Sequence, residues 1–256
     1  MTKRQYLNEN FIKLFKPLIY VQTIIGSVRV NIRHNVISSP HWMQSAYAIF
    51  FLSFVCIYYT FYRNVYVGGV DFTTKYLELA WAILQTNIGV ILNTTIIVTN
   101  NFMDRESNVK LFLTLQKIDR DLKITGKGRH NMKIYVFITL GVIILITYHS
   151  YCLVLELLAY DHRMVWIVPL VSTLFTVEDY ESVLFLTILL ILNERLAFIK
   201  KMIEFGTEVQ WQQTHLNIQV HQNIWQAFDS FVKAIRLTER VFRIYVSTSS
   251  INNSYL

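Results

Sequence analysis

Three stretches of this chain stay apolar for the roughly 20 residues that a helix needs to cross a ~30 Å hydrocarbon layer. They are Met43 to Phe61, Leu79 to Thr99 and Ile134 to Leu155. A fourth, Val168 to Asn193, reaches that length only if Glu178, Asp179 and Glu181 are accepted inside it. Between these runs the pattern changes. "NVKLFLTLQKIDRDLKI" brings Val109, Phe112, Leu113, Leu115, Ile118 and Leu122 near one helical face. "HLNIQVHQNIWQAFDSFVKAIRLTERVFRIYV" does the same with Ile218, Ile224, Ala227, Phe228, Phe231, Ile235, Leu237 and Val241. Both predict amphipathic helices that pack on other helices. "ERLAFIKKMIEF" reads as a continuation of the fourth apolar helix, and "STSSINNSYL" as a polar, frayed end. The expected fold is all-α: a polytopic membrane helix bundle of about four transmembrane helices. It divides into a cytoplasmic segment over 1–42, a four-span bundle over 43–193 and a cytosolic helical tail over 194–256 that extends the fourth helix.

Composition agrees with long helices in a lipid setting. The chain is 53% hydrophobic and 16% charged, with only 8 Gly and 3 Pro in 256 residues. Soluble domains usually carry about 25% charged residues. A net charge of +7 would invite a nucleic-acid partner, but the basic residues are placed by topology. Residues 1–42 hold six Lys/Arg, the connection 100–133 holds eight and the tail after Asn193 holds seven. The connections 62–78 and 156–167 hold two and one. Lys and Arg accumulate on the cytoplasmic side of membrane proteins. Four spans with both termini inside therefore follow, and nucleic acid is not the expected partner.

The chemistry of an enzyme is missing from the pattern. There is no Gly-rich phosphate loop, no paired-cysteine metal spacing and no nucleophile elbow. His215 and His221 are too far around a helix to share a ligand, and His34, His41 and His130 read as solvated loop residues. Cys56 and Cys152 lie in apolar runs and read as small buried hydrophobes rather than a disulfide or metal site. We expect no catalytic residues, no metal and no cofactor.

Depth then groups the polar residues of the spans. The third span runs outward, which places Tyr148, His149 and Tyr151 in its outer half. The second and fourth run inward, which places Trp81 and Gln85, and Glu178 and Asp179, at a similar level. On the fourth helix Ser172, Thr176, Asp179 and Thr187 share an arc of about 80° at 100° per residue. The seven candidate ligand-binding residues are thus Asp179, Glu178, His149, Tyr148, Tyr151, Gln85 and Trp81. A charge at the bilayer centre costs at least ~3 kcal/mol, and three arrangements would make the acids tolerable. They could line an outward-open hydrated cavity, mark a helix break at the interface, or belong to a buried hydrogen-bond network.

Three features together resemble the insect gustatory receptors, with lepidopteran members nearest. They are "PLIYVQTIIG" at Pro17 to Gly26, the basic first cytoplasmic loop, and "LNERL" at Leu192 to Leu196 running into a cytosolic helix. The resemblance implies a plasma-membrane receptor of seven helices with a cytoplasmic N-terminus. It also implies a tetrameric, ligand-gated, non-selective cation channel, homomeric or heteromeric, with a tastant pocket in the outer half of the bundle. It further implies that this chain ends before the family's last three spans and lacks the pore-lining helix with its Thr-Tyr…Gln signature, so that alone it conducts no ions. An insect odorant receptor is the alternative within that superfamily, and a four-helix transporter or membrane scaffold the alternative outside it.

Overall fold

The computed structural model describes residues 7–33, 35–67, 76–124, 129–159, 167–208 and 214–243. Among them are seven α-helices: α1 (Glu9–Ile24), α2 (Trp42–Val67), α3 (Tyr76–Val98), α4 (Arg105–Asp121), α5 (Arg129–Ala159), α6 (Ile167–Glu208) and α7 (Thr214–Val241). The chain is mostly helical, and each apolar stretch falls on one helix: α2, α3, α5 and α6. A small antiparallel hairpin departs from the all-helical expectation. Its strands are β1 (Asn31–Arg33) and β2 (Val36–Ser38), with Ile32 opposite Ile37. Asn35 turns it at φ 62°, a left-handed conformation that asparagine tolerates better than most residues.

Among the described residues, two helices, Met132–Leu155 within α5 and Ser172–Glu204 within α6, are long and apolar enough to cross a membrane. α5 buries a narrow stripe of Ile134, Ile138 and Val142. It exposes Tyr135, Val136, Phe137, Leu140, Ile143 and Ile144 over the rest of its surface. That is inverted relative to a helix in water, where the exposed arc is polar. α6 runs unbroken for 42 residues. The acids at 178–181 therefore do not end a helix, which removes the helix-break reading.

The helices pack around α6. α5, α3, α7 and α2 all contact it, α1 lies mainly against α5, and α4 lies mainly against α7. α4 turns Phe112, Leu115, Ile118 and Leu122 inward, as the periodicity predicts. α7 answers with Ile224, Ala227, Phe231, Ala234 and Val241, whereas Phe228 and Ile235 point outward. α1 starts at Asn8, whose side-chain oxygen accepts the Asn10 N–H at 3.0 Å. That satisfies one of the helix's orphan donors. α1 buries Phe11, Leu14, Phe15 and Leu18, and Phe15 meets Phe112 of α4 edge-on at 4.8 Å. Gly26, at φ +75°, turns the chain sharply under α2 after α1 ends. There the Tyr47 hydroxyl donates to the Ile24 carbonyl at 2.7 Å. Where α3 meets α6, glycine is required for space. A Cβ on Gly89 would stand 2.2 Å from Cε1 of Phe175.

Candidate functional site

Two polar assemblies meet on α6, on opposite sides of it. The first joins α5 to α6. His149 Nε2 lies 2.9 Å from Asp179 Oδ2, with the imidazole largely buried and the carboxylate 46% exposed. The pair is close but not aligned as a hydrogen bond. Its attraction is therefore electrostatic and depends on protonation of the ring. Tyr148 stands edge-on to His149 at 5.3 Å, and Tyr180 lies on the other side at 6.4 Å.

Of the seven residues expected here, His149, Asp179 and Tyr148 come together. Glu178 is half-buried beside Asp179, and its carbonyl accepts the Ser182 hydroxyl at 2.8 Å. Tyr151 is 62% exposed and lies about 200° around α5 from His149. Trp81 and Gln85 lie on α3, but their side chains are outside those described. Two hydroxyls of the expected stripe bond within their own helix. Thr176 donates to the Thr173 carbonyl and Thr187 to the Val183 carbonyl, each at 2.7 Å. Cys56 is exposed on α2 rather than buried, seven residues from the equally outward Ile49, and Cys152 is half-buried. Both thiols are free.

The second assembly is a buried hydrogen-bond network, one of the three arrangements open to the acids, built from partners that the sequence did not name. Glu181, 1% exposed, accepts from Gln22 Nε2 at 3.2 Å, Ser27 Oγ at 3.1 Å and Asn100 Nδ2 at 2.8 Å through Oε1. Its Oε2 takes Arg29 Nε at 2.8 Å and Nη2 at 2.5 Å. Arg29 also donates through Nη1 to Asn108 at 2.9 Å and stacks on the Phe242 ring at 4.2 Å. Local backbone explains how α3 reaches this layer. Thr99–Met103 forms one π-helical turn between α3 and α4. Such a turn widens the helix by a residue and re-aims the side chains it carries. Here it presents Asn100 to Glu181, and Asn101 to the Gly26 carbonyl at 2.8 Å. The sequence does carry a signal for this pair: an arginine in "GSVR" and a glutamate inside an apolar helix each need an opposite charge. Neither says which.

A third ion pair ties α4 to α6 further along. Arg195 Nε reaches Asp119 Oδ1 at 2.6 Å and Nη2 reaches Oδ2 at 3.3 Å. Burial pushes the Asp119 carboxyl above its ordinary pKa, against the opposing pull of Arg195. Among the described residues no group of three or more His, Cys, Asp or Glu is placed to hold a metal ion. No family model and no curated protein matches the chain.

Proposed function

We propose that the chain is the ligand-binding part of a plasma-membrane chemoreceptor of the insect gustatory type. α2, α3, α5 and α6 are its spans, both ends lie in the cytoplasm, and a small polar tastant binds in the outer half of the bundle. In a tetramer, binding opens a cation pathway. The observation that carries the reading is the His149–Asp179 pair. A helix apolar enough to cross a membrane leaves one carboxylate half exposed, against an imidazole whose Nε2 is not committed to an aligned hydrogen bond. Intramembrane ionisable groups are costly and mark ligand or ion sites more often than packing. The apolar outer arc of α5 supports a lipid-facing position for that helix, and the basic connection 100–133 supports a cytoplasmic side for α4.

The test is direct binding to the chain in lipid nanodiscs. A panel of sugars, amino acids and protonated amines is titrated while melting temperature and tryptophan fluorescence are followed. At least one class should raise the melting temperature in the parent and fail to do so in Asp179→Leu. A parent that responds to no class, or a response unchanged by Asp179→Leu and by His149→Leu, would overturn the proposal.

A further inference from the structure

Arg29 belongs by sequence to the basic residues that precede the first apolar run. In the folded chain its side chain is 3% exposed and lies against an acid inside the apolar stretch of α6. We infer that Arg29 and Glu181 form a charge latch. It makes the N-terminal segment, α1 with the turn through residue 30, an obligate part of the bundle, and it seats the α4–α7 pair on α6.

Three observations lead there. Glu181 has no capacity left over: both oxygens are engaged, by four side chains from α1, from the turn after it and from the α3–α4 junction. Arg29 is equally committed, since one guanidinium holds α6 through Glu181, α4 through Asn108 and the end of α7 through Phe242. The Phe242 ring in turn packs on Phe185 of α6 at 5.1 Å, so the far end of α7 closes over the pair. A side chain shared in this way by a loop and three helices orders all of them. The pair is fully desolvated, so removing either charge strands the other in the interior, whereas removing both strands neither.

That asymmetry gives the experiment, which does not depend on the receptor reading. Arg29→Gln, Glu181→Gln, the double variant and Arg29→Lys are made in the full chain and purified in detergent. Folded fraction is followed by thermal unfolding. Val28, 1% exposed and outside the hydrogen-bond network, serves as a labelling reporter through Val28→Cys, with Cys56 and Cys152 replaced by Ala. Each single neutralisation should lower the folded-to-unfolded ratio about 100-fold or more. It should also open position 28 to a water-soluble maleimide. The double variant should regain most of the ratio and protect position 28 again. Arg29→Lys keeps the charge without the two-pronged geometry and should fall between parent and Arg29→Gln. Singles that behave like the parent, or a double variant no better than the worse single, would overturn the latch.

Discussion

Asp179 and Glu181 stand two residues apart on α6 and face opposite neighbours. Asp179 meets His149 of α5 at 2.9 Å, and Glu181 meets Arg29 at 2.5 Å. Two residues of helix turn a side chain through about 200°, so the acids cannot share a partner. One is half exposed and one is sealed. Substitutions only a few ångströms apart should therefore be read by different assays, binding for the first and folding for the second.

For Asp179 the informative substitution is Asn, which keeps the shape and one acceptor oxygen but drops the charge. Losing one charge-assisted hydrogen bond to a ligand costs about 1.5–3 kcal/mol, or roughly 10- to 150-fold in affinity. Asp179→Asn should weaken binding of the responsive ligand by that factor and leave the melting temperature nearly unchanged. Equal dissociation constants for parent and variant, measured by titration, would remove Asp179 from the site.

Gly89→Ala should destabilise the α3–α6 contact. The new Cβ has no room unless the Phe175 ring moves, and overpacking of this kind costs about 1–3 kcal/mol. Adding Phe175→Leu should recover part of the loss, because neighbouring substitutions that relieve one clash are not additive. Thermal unfolding of the two singles and the double decides it. Strict additivity would show that the two residues do not meet.

Asp119 makes a prediction about pH. Burial raises its carboxyl pKa in the folded chain above the ordinary value of about 3.9. Its contribution to stability is therefore fully present below that ordinary value and is lost as pH rises through the raised folded value. Asp119→Asn has no such titration. The stability of the parent relative to Asp119→Asn should fall as pH climbs from the ordinary carboxylate value through the raised one of the folded chain. A difference that stays flat, or one that rises with pH, would show that Arg195 outweighs burial.

Topology can be read in intact cells. Epitope tags after Met1 and beside Lys127 should be protected from external protease, while a tag beside Asp161 should be cut. All three points lie outside the described residues, so this measurement tests the charge pattern by itself. Cleavage at Lys127 in sealed cells would end the four-span arrangement.

Periodicity was enough to place six of the seven described helices, α1 (Glu9–Ile24) being the one it did not name. The apolar runs sit on α2, α3, α5 and α6, and the inward faces of α4 and α7 follow the spacing of Phe112, Leu115 and Ile118, and of Ile224, Ala227 and Phe231. Part of the α5–α6 site was also readable, because depth along two adjacent antiparallel helices brings His149 near Asp179 without knowledge of other contacts. The Arg29–Glu181 layer was not readable. Its partners are 152 residues apart, and the helical wheel of α6 shows only that Glu181 lies off the polar stripe. The hydroxyls of that stripe misled for a local reason. Thr176 and Thr187 spend their donors on carbonyls of their own helix, a bond that periodicity cannot distinguish from a lining position.

The unbroken course of α6 has a mechanical consequence. At 1.5 Å per residue its 42 residues form a rod of about 63 Å. Glu181 divides it into an arm of about 21 Å toward Ile167 and one of about 40 Å toward Glu208. If the Arg29 contact acts as a fulcrum, a tilt imposed beside Asp179 sweeps the far end through about twice the displacement of the near end. A movement at the short arm would then reach Arg195, where α6 meets Asp119 of α4, at about its original size, and be enlarged only beyond it toward Glu208.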